Sequence, residues 1–464
     1  MMAVDHVFRL LVPADQDTPQ EAPSIKVDGR RWVPTSYTQV PKPENTLAYT
    51  CISYSWGMET APHPFEPRKV SSRAIPALEA VIRSLQPSAI WLDALCVPPD
   101  EPRHSACLRS LGAIYARAVQ SVAVLSESCR PVLSNIRSRG SVEEGMLQTL
   151  DEDGWVTRAW TYQEIANSKQ MMFIAEGDRE KAISGDRFLN VVGYALQQLK
   201  KKRNVDSFGL RASYMNLDQL EDVLGDWMYT GLGSRFAYQS MAAMDRRLAT
   251  QSADHFNAMI GTLCTEPPPV PADPALDPSE LFMQLCESNG DFSFIYCVGT
   301  RNGEPGRRWR PLPGSMRTLL PWHTFGDGQR GSLESDFLRL HEMCAVSTGA
   351  LTEDAEQFIG NWLNSDRAGE GVPPSASNVF ARLQSGGLQG HGAAIELGTG
   401  YFFPEHDIAD PSAFAIFVAS GVRWMHGAAA LFLRYVANAQ RYEFGGVGVF
   451  VGVVPKSVES IDIQ

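Results

Sequence analysis

The sequence has no apolar run long enough to cross a bilayer. Its most apolar stretch, Ala413 to Val422, stops at Arg423, well short of the ~20 residues that a spanning helix needs. At the N-terminus, Asp5, His6 and Arg9 flank a short apolar stretch without the core of a secretory signal. Basic residues are also in deficit: 41 Lys and Arg stand against 53 Asp and Glu, a net charge of −12, which argues against a non-specific binder of nucleic acid. The one basic run, Lys200 to Arg203, ends a helical pattern and complements its dipole. Eight cysteines are scattered with no Cys-x-x-Cys pair, so they read as reduced, buried thiols of a cytoplasmic protein rather than a disulfide framework or zinc site. His341-Glu342 is not followed by a second histidine at metalloprotease spacing, and no metal is expected. No Gly-x-x-x-x-Gly-Lys-Ser/Thr loop is present, which excludes that route to nucleotide hydrolysis. The glycines around 445–452 read as strand bends rather than a dinucleotide loop, so no bound cofactor is expected. No internal repeat is apparent.

What is present is an ordinary globular composition, 44% hydrophobic and 20% charged over 464 residues, enough for two or three domains. Ala48 to Tyr54 reads as a strand that breaks at Ser55-Trp56-Gly57. Ile75, Leu78, Ile82 and Leu85 recur at helical spacing, with Pro76 tolerable in the first turn. The nearly continuous apolar run Ala89 to Val97 predicts a strand covered on both faces. Arg103 to Ala118 predicts a helix, and Val122–Leu125 and Gln170–Ala175 two more buried strands. The order β-α-β-α-β-insert-α-β implies an α/β fold with a doubly wound parallel sheet, whose ligands bind at the carboxyl ends of the strands. Ser55, Asp93 and Ser126 fall at or just after such ends. Glu164 follows the third strand, in the segment Arg158-Ala-Trp-Thr-Tyr-Gln-Glu164. Trp160 and Glu164, four apart, share a helix face and place an indole beside a carboxylate.

Four blocks in order over about 130 residues resemble the HET (heterokaryon incompatibility) domain of filamentous fungi. They are Ile52-Ser-Tyr-Ser-Trp-Gly57, Trp91-Leu-Asp-Ala-Leu-Cys96, Ile114-Tyr-Ala-Arg-Ala118 and Arg158 to Glu164. Where the family pattern usually continues Ile-Asn-Gln after the second block, this chain has Val97-Pro98-Pro99. HET domains are in turn similar to TIR domains, some of which cleave NAD with the glutamate of a Trp-x-x-x-Glu helix. The resemblance implies a TIR-like sheet, with Glu164 as the catalytic residue and Trp160 as its packing partner. Ser55, Trp56, Asp93 and Trp160 are then the substrate-binding residues, and NAD or a related nucleotide is the substrate. It also implies a death signal set off by self-association or by a protein trigger.

The remaining chain divides by composition. Residues 1–45 form an N-terminal extension, 46–180 the HET-like domain, 181–264 a helical region, 265–279 a Pro-rich linker, and 280–464 an α+β C-terminal region. Within these, Phe188–Leu199, Asp218–Tyr229 and Phe236–Leu263 predict helices. Pro278–Glu287 predicts a helix and Phe292–Val298 a strand. Asp366–Ser377 reads as a mobile loop, and the β-rich segments after Tyr401 as a small barrel-like unit.

Three functions compete on this reading. In a TIR-like NAD glycohydrolase, Glu164 stabilises an oxocarbenium-like ribose, as carboxylates do in glycosidases. There it is expected to be partly exposed and nearly neutral for stability. In a non-catalytic signalling module, the Trp160/Glu164 helix is an interface. In a thiol enzyme, Cys96 is the nucleophile with His104 near it, against the tendency of cysteine to be core. Asp93 and Ser55 can equally be a capping carboxylate and a turn residue.

Overall fold

The computed structural model describes residues 8–37, 48–203, 210, 213–217, 220, 235–264, 266, 273, 276–319, 324–365, 371–388 and 391–464. The chain divides into two compact units. The first comprises Met1–Leu199, Tyr214–Gly233 and Arg247–Ala272; the second comprises Lys200–Ser213, Ser234–Arg246 and Asp273–Gln464.

The first unit is built on an eight-stranded sheet. Its strands are β1 (Phe8–Pro13), β2 (Ile25–Val27), β3 (Arg30–Tyr37), β4 (Thr50–Tyr54), β7 (Ile90–Leu92), β8 (Gln120–Leu125), β9 (Met171–Ala175) and β10 (Ile183–Ser184), while β5 (Thr60–Pro62) and β6 (Lys69–Ser71) pair separately. The order is β10-β9-β8-β4-β7-β1-β3-β2. β9, β8, β4 and β7 are mutually parallel, as expected from their apolar runs, with Thr50 opposite both Ile90 and Gln120 and Ser121 opposite Met171. The sheet is mixed rather than purely parallel. On one side β1 joins antiparallel at Leu11 opposite Ile90, followed by β3 and β2, and β10 adds antiparallel on the other. From β4 the chain crosses to β7 on one side, and from β8 it continues to β9 on the other. The carboxyl ends of β4 and β8 therefore flank a topological switch point.

Between the strands run α1 (Ala74–Leu85), α2 (Asp93–Cys96), α3 (Arg103–Arg109), α4 (Leu111–Arg117), α5 (Arg130–Arg139), α6 (Glu144–Asp151), α7 (Gly154–Thr157) and α8 (Ala159–Asn167); α9 (Gly185–Arg203) follows β10. The buried stripe of α1 is Ala74, Ala77, Leu78, Val81 and Ile82, and the helix ends where Gln86 turns left-handed at φ 47°. Two predicted elements are cut short by side chains that compete for the backbone. The run Ala89–Val97 is strand only over Ile90–Leu92, because Asp93 begins a helical turn in which its carboxylate accepts the Ala94 amide at 2.6 Å and its carbonyl accepts that of Val97 at 2.9 Å. The helix predicted over Arg103–Ala118 breaks at Ser110, whose hydroxyl donates to the Ala106 carbonyl at 2.8 Å.

The predicted helix Phe236–Leu263 is likewise two helices, Ala237–Met244 and Ser252–Leu263. Between them Leu248 is extended and bridges the backbone on either side of Arg158. In the first unit, Gly112 of α4 and Gly261 meet closely: a Cβ at Gly112 would lie 2.1 Å from the Gly261 carbonyl oxygen. The predicted helix Asp218–Tyr229 falls mostly outside the described residues, as does most of the Pro-rich stretch 265–279 and part of the loop 366–377.

The second unit carries the other large sheet. Its strands are β13 (Gly331–Leu333), β14 (Leu338–Val346), β15 (Ile395–Leu397), β16 (Gly400–Pro404), β17 (Ala415–Trp424), β18 (Gly427–Val436), β19 (Arg441–Gly452) and β20 (Glu459–Ile463); β11 (Cys297–Val298) and β12 (Arg317–Thr318) form a small separate pair. Because β20 pairs with both β14 and β19, strands β14, β17, β18, β19 and β20 close on themselves. Phe402, Ile416, Val418, Phe432 and Phe450 form their core. The strand predicted over Phe292–Val298 is a 3₁₀ turn over Ser293–Tyr296 before β11, started by the Asp291 carboxylate accepting the Ser293 amide at 2.9 Å. Among the described residues no helix is long and apolar enough to cross a membrane.

Candidate functional site

Strand β4 brings polar groups into an otherwise apolar sheet. Its five residues are all buried, and Ser55, also buried, follows directly after its end, beside the switch point. The Ser53 hydroxyl donates to Oε2 of Glu164, and the indole N–H of Trp155, in α7, donates to Ser53 Oγ at 2.6 Å. All three residues are buried. Glu164 is only 7% exposed, which corrects the expectation of a partly exposed carboxylate.

Glu164 is positioned by the way α8 starts. Arg158 precedes the helix in an extended conformation and supplies no side-chain cap. Instead the Thr161 hydroxyl folds back onto the carbonyls of Trp155 and Arg158 at 2.6 and 2.8 Å. The Arg158 carbonyl also accepts from the buried Arg247 guanidinium at 2.9 Å. Everything from Thr161 to Asn167 is buried, so the helix presents its carboxylate to protein. Gly154 matters for the same reason: a Cβ there would come 2.6 Å from Ser55 Oγ, so only glycine lets α7 lie on that hydroxyl.

Asp93 is the second acid. Its Oδ2 accepts the indole N–H of Trp56 at 2.6 Å. Trp56 is 41% exposed, and the Ser71 hydroxyl donates to its carbonyl, so a half-exposed indole is held against the partly buried Asp93. Burial pushes Asp93 up to about 6, against the pull of the Trp56 and Ala94 donors, Arg158 and Tyr54. Burial likewise pushes Glu164 up to about 8. The Ser53 hydroxyl draws it back, the negative charge of Asp93 raises it further, and Tyr115 and Arg158 lower it. The two acids and Arg158 therefore act on one another electrostatically, and burial favours the protonated form of Glu164 more strongly than that of Asp93.

The structure thus places Glu164 within electrostatic reach of Asp93, with Trp56 bonded to Asp93 and Ser55 just past the end of β4, against Gly154. Trp160 is partly buried and packs against the apolar core of the sheet. The indole tied to the Glu164 hydrogen bonds is Trp155. Ser53, Trp155, Tyr115 and Arg158 were not singled out from the sequence. A serine inside a buried apolar strand was the available signal for the first, whereas nothing local marks Trp155, which lies in the insert. Ser126 donates to the capping carboxylate Asp153, whose other oxygen accepts the Trp155 amide at 2.8 Å. Cys96 is 1% exposed with its thiol pushed up to about 12 by burial. The His104 Nδ1 faces the Pro98 carbonyl at 2.9 Å, so that imidazole nitrogen is occupied by backbone. Among the described residues no group of three or more His, Cys, Asp or Glu is placed to hold a metal ion.

Residues 49–149 match the family model described as Heterokaryon incompatibility protein (HET). The chain carries a HET domain. The match takes in β4, β7, β8 and the segments holding Ser53, Ser55, Trp56 and Asp93, and it ends before Trp155, Arg158 and Glu164. No curated protein and no solved structure matches the chain. A HET domain implies a function in heterokaryon incompatibility and cell death.

Proposed function

We propose that the HET domain acts by cleaving NAD at the bond between nicotinamide and ribose, through a TIR-like site centred on Glu164. The observation that carries this reading is the buried Glu164, acted on by the charge of the partly buried Asp93 just after β7, with the half-exposed Trp56 indole bonded to Asp93. In the reaction the C1′–N bond breaks, its electron pair leaves with neutral nicotinamide, and the ribose becomes an oxocarbenium ion. Water adds at C1′ and loses a proton; an adenine nitrogen in its place gives a cyclic product. A nearby carboxylate stabilises the cationic ribose. The positive nicotinamide ring favours the ionised form of Glu164, offsetting the burial that otherwise keeps it protonated. Trp56 offers a flat apolar face for a base to stack on.

The test is incubation of the purified full chain with NAD and product analysis, repeated at high protein concentration and with crowding agents. Glu164→Gln is expected to lower turnover by at least ~100-fold, the scale of a lost transition-state charge contact. Wild-type protein inert under all these conditions would favour a second reading, a non-catalytic death-signalling module. That reading has one observation on its side: the partners of Glu164 are protein groups, Ser53 among them.

A further inference from the structure

We propose that Ser53 is a positioning residue for Glu164, and that Trp155 fixes the direction in which the Ser53 proton points. The inference rests on the reading of Glu164 as the reactive carboxyl, but its physical basis is independent of which substrate binds. An indole N–H can only donate, so in the 2.6 Å contact with Trp155 the Ser53 oxygen is the acceptor. A serine hydroxyl has one hydrogen. With Trp155 occupying an acceptor position, that hydrogen is directed at Glu164 Oε2, the contact the structure shows. Oε2 is therefore committed as an acceptor, and when the carboxyl is neutral its proton resides on Oε1. Tyr115 also hydrogen-bonds this carboxyl, and Asp93 and Arg158 act on it through their charges; the oxygen not held by Ser53 is the one that gives up or takes the proton.

The arrangement is rigid because each member is anchored separately. Ser53 lies within β4, between two parallel neighbours of the sheet. Trp155 is packed edge-on to Phe173 at 5.4 Å between ring centres, and Phe173 stacks on Phe188 at 4.0 Å. The Trp155 amide is capped by Asp153 at 2.8 Å. Chains of buried hydrogen bonds polarise one another, and here the direction runs from Trp155 through Ser53 to Glu164. The bond from Ser53 favours the ionised carboxyl, so it holds the titration of Glu164 lower than burial alone would set it.

The experiment is carbon NMR of full-length protein labelled at the glutamate side-chain carboxyl, with the Glu164 signal assigned by its disappearance in Glu164→Gln. Ser53→Ala removes the donor while leaving only a small space, and is expected to raise the Glu164 midpoint by about one pH unit. Ser53→Thr keeps the hydroxyl and is expected to restore it. Trp155→Phe keeps the aromatic packing but frees the Ser53 hydroxyl, and is expected to give an intermediate upward shift. A midpoint that stays put in Ser53→Ala, with the variant folded by circular dichroism, overturns the proposal. On the same proteins, the pH limb of NAD cleavage should move with the NMR midpoint, and kcat in Ser53→Ala should fall by at least ~10-fold. No cleavage by wild type would defeat the NAD reading while leaving the NMR result to decide the role of Ser53. Cleavage by Ser53→Ala with unchanged kcat and pH limb would defeat the positioning role alone.

Discussion

Replacing Glu164 by glutamine should flatten the dependence of stability on pH, changing little at low pH and most above pH 8. In the folded chain burial lifts this carboxyl from 4.5 to about 8. Between those values the folded state holds a proton that the unfolded chain has released. The stabilising contribution is fully present below about 4.5 and is lost as pH rises toward 8. At ~1.4 kcal/mol per pH unit, the interval from pH 5 to 8 makes this loss on the order of 4 kcal/mol. Glutamine has nearly the same shape, can accept from Ser53 and does not titrate. Glu164→Gln should therefore be close to wild type at pH 5 and more stable than wild type at pH 8 and above, by up to that amount. Tryptophan fluorescence during urea unfolding at a series of pH values reads the difference, because Trp155 and Trp91 lie fully buried in this unit. Midpoint curves for the two proteins that run parallel from pH 5 to 9 would refute the argument, since they would mean that Glu164 titrates as if exposed.

Other consequences follow from the same geometry. Trp56→Phe keeps an aromatic face but removes the donor to Asp93, so the Asp93 midpoint should rise above about 6, read by carboxyl NMR. Cys96, with its thiol near 12 and almost no exposed surface, should resist iodoacetamide at pH 8 in the folded protein and react on unfolding; rapid alkylation of the native chain would restore the thiol-enzyme hypothesis. Gly112→Ala forces a methyl into the Gly261 carbonyl and should destabilise by ~2 kcal/mol or more in thermal melts. NAD turnover, if Glu164 must be ionised, should rise with pH and level off near or below pH 8.

The sequence by itself determined the parallel core. Its strands are short continuous apolar runs because both of their faces are covered, and such runs are legible one residue at a time. It also marked Asp93, Trp56 and Glu164, since polar groups that follow apolar strands stand out locally. It could not say where the strands and helices stop. Asp93 looks like strand until its carboxylate is seen capping Ala94, and Ser110 looks helical until its hydroxyl is seen bonding Ala106. Nor could it say that residues 8–37 extend the same sheet through a single antiparallel register at Leu11, because pairing between distant segments leaves no periodic trace.

The site was half legible for the same reason. Trp160 and Glu164 are related by helix geometry alone, so their shared face could be read from spacing. Ser53 is 102 residues from Trp155 and 111 from Glu164 along the chain, and it meets them only because β4 lies beside β8 and the insert after β8 returns over its end. Burial, too, belongs to the tertiary structure. Whether a carboxyl at the head of a helix is solvated or enclosed depends on what packs against it, and here the packing encloses Glu164 and pushes its titration up.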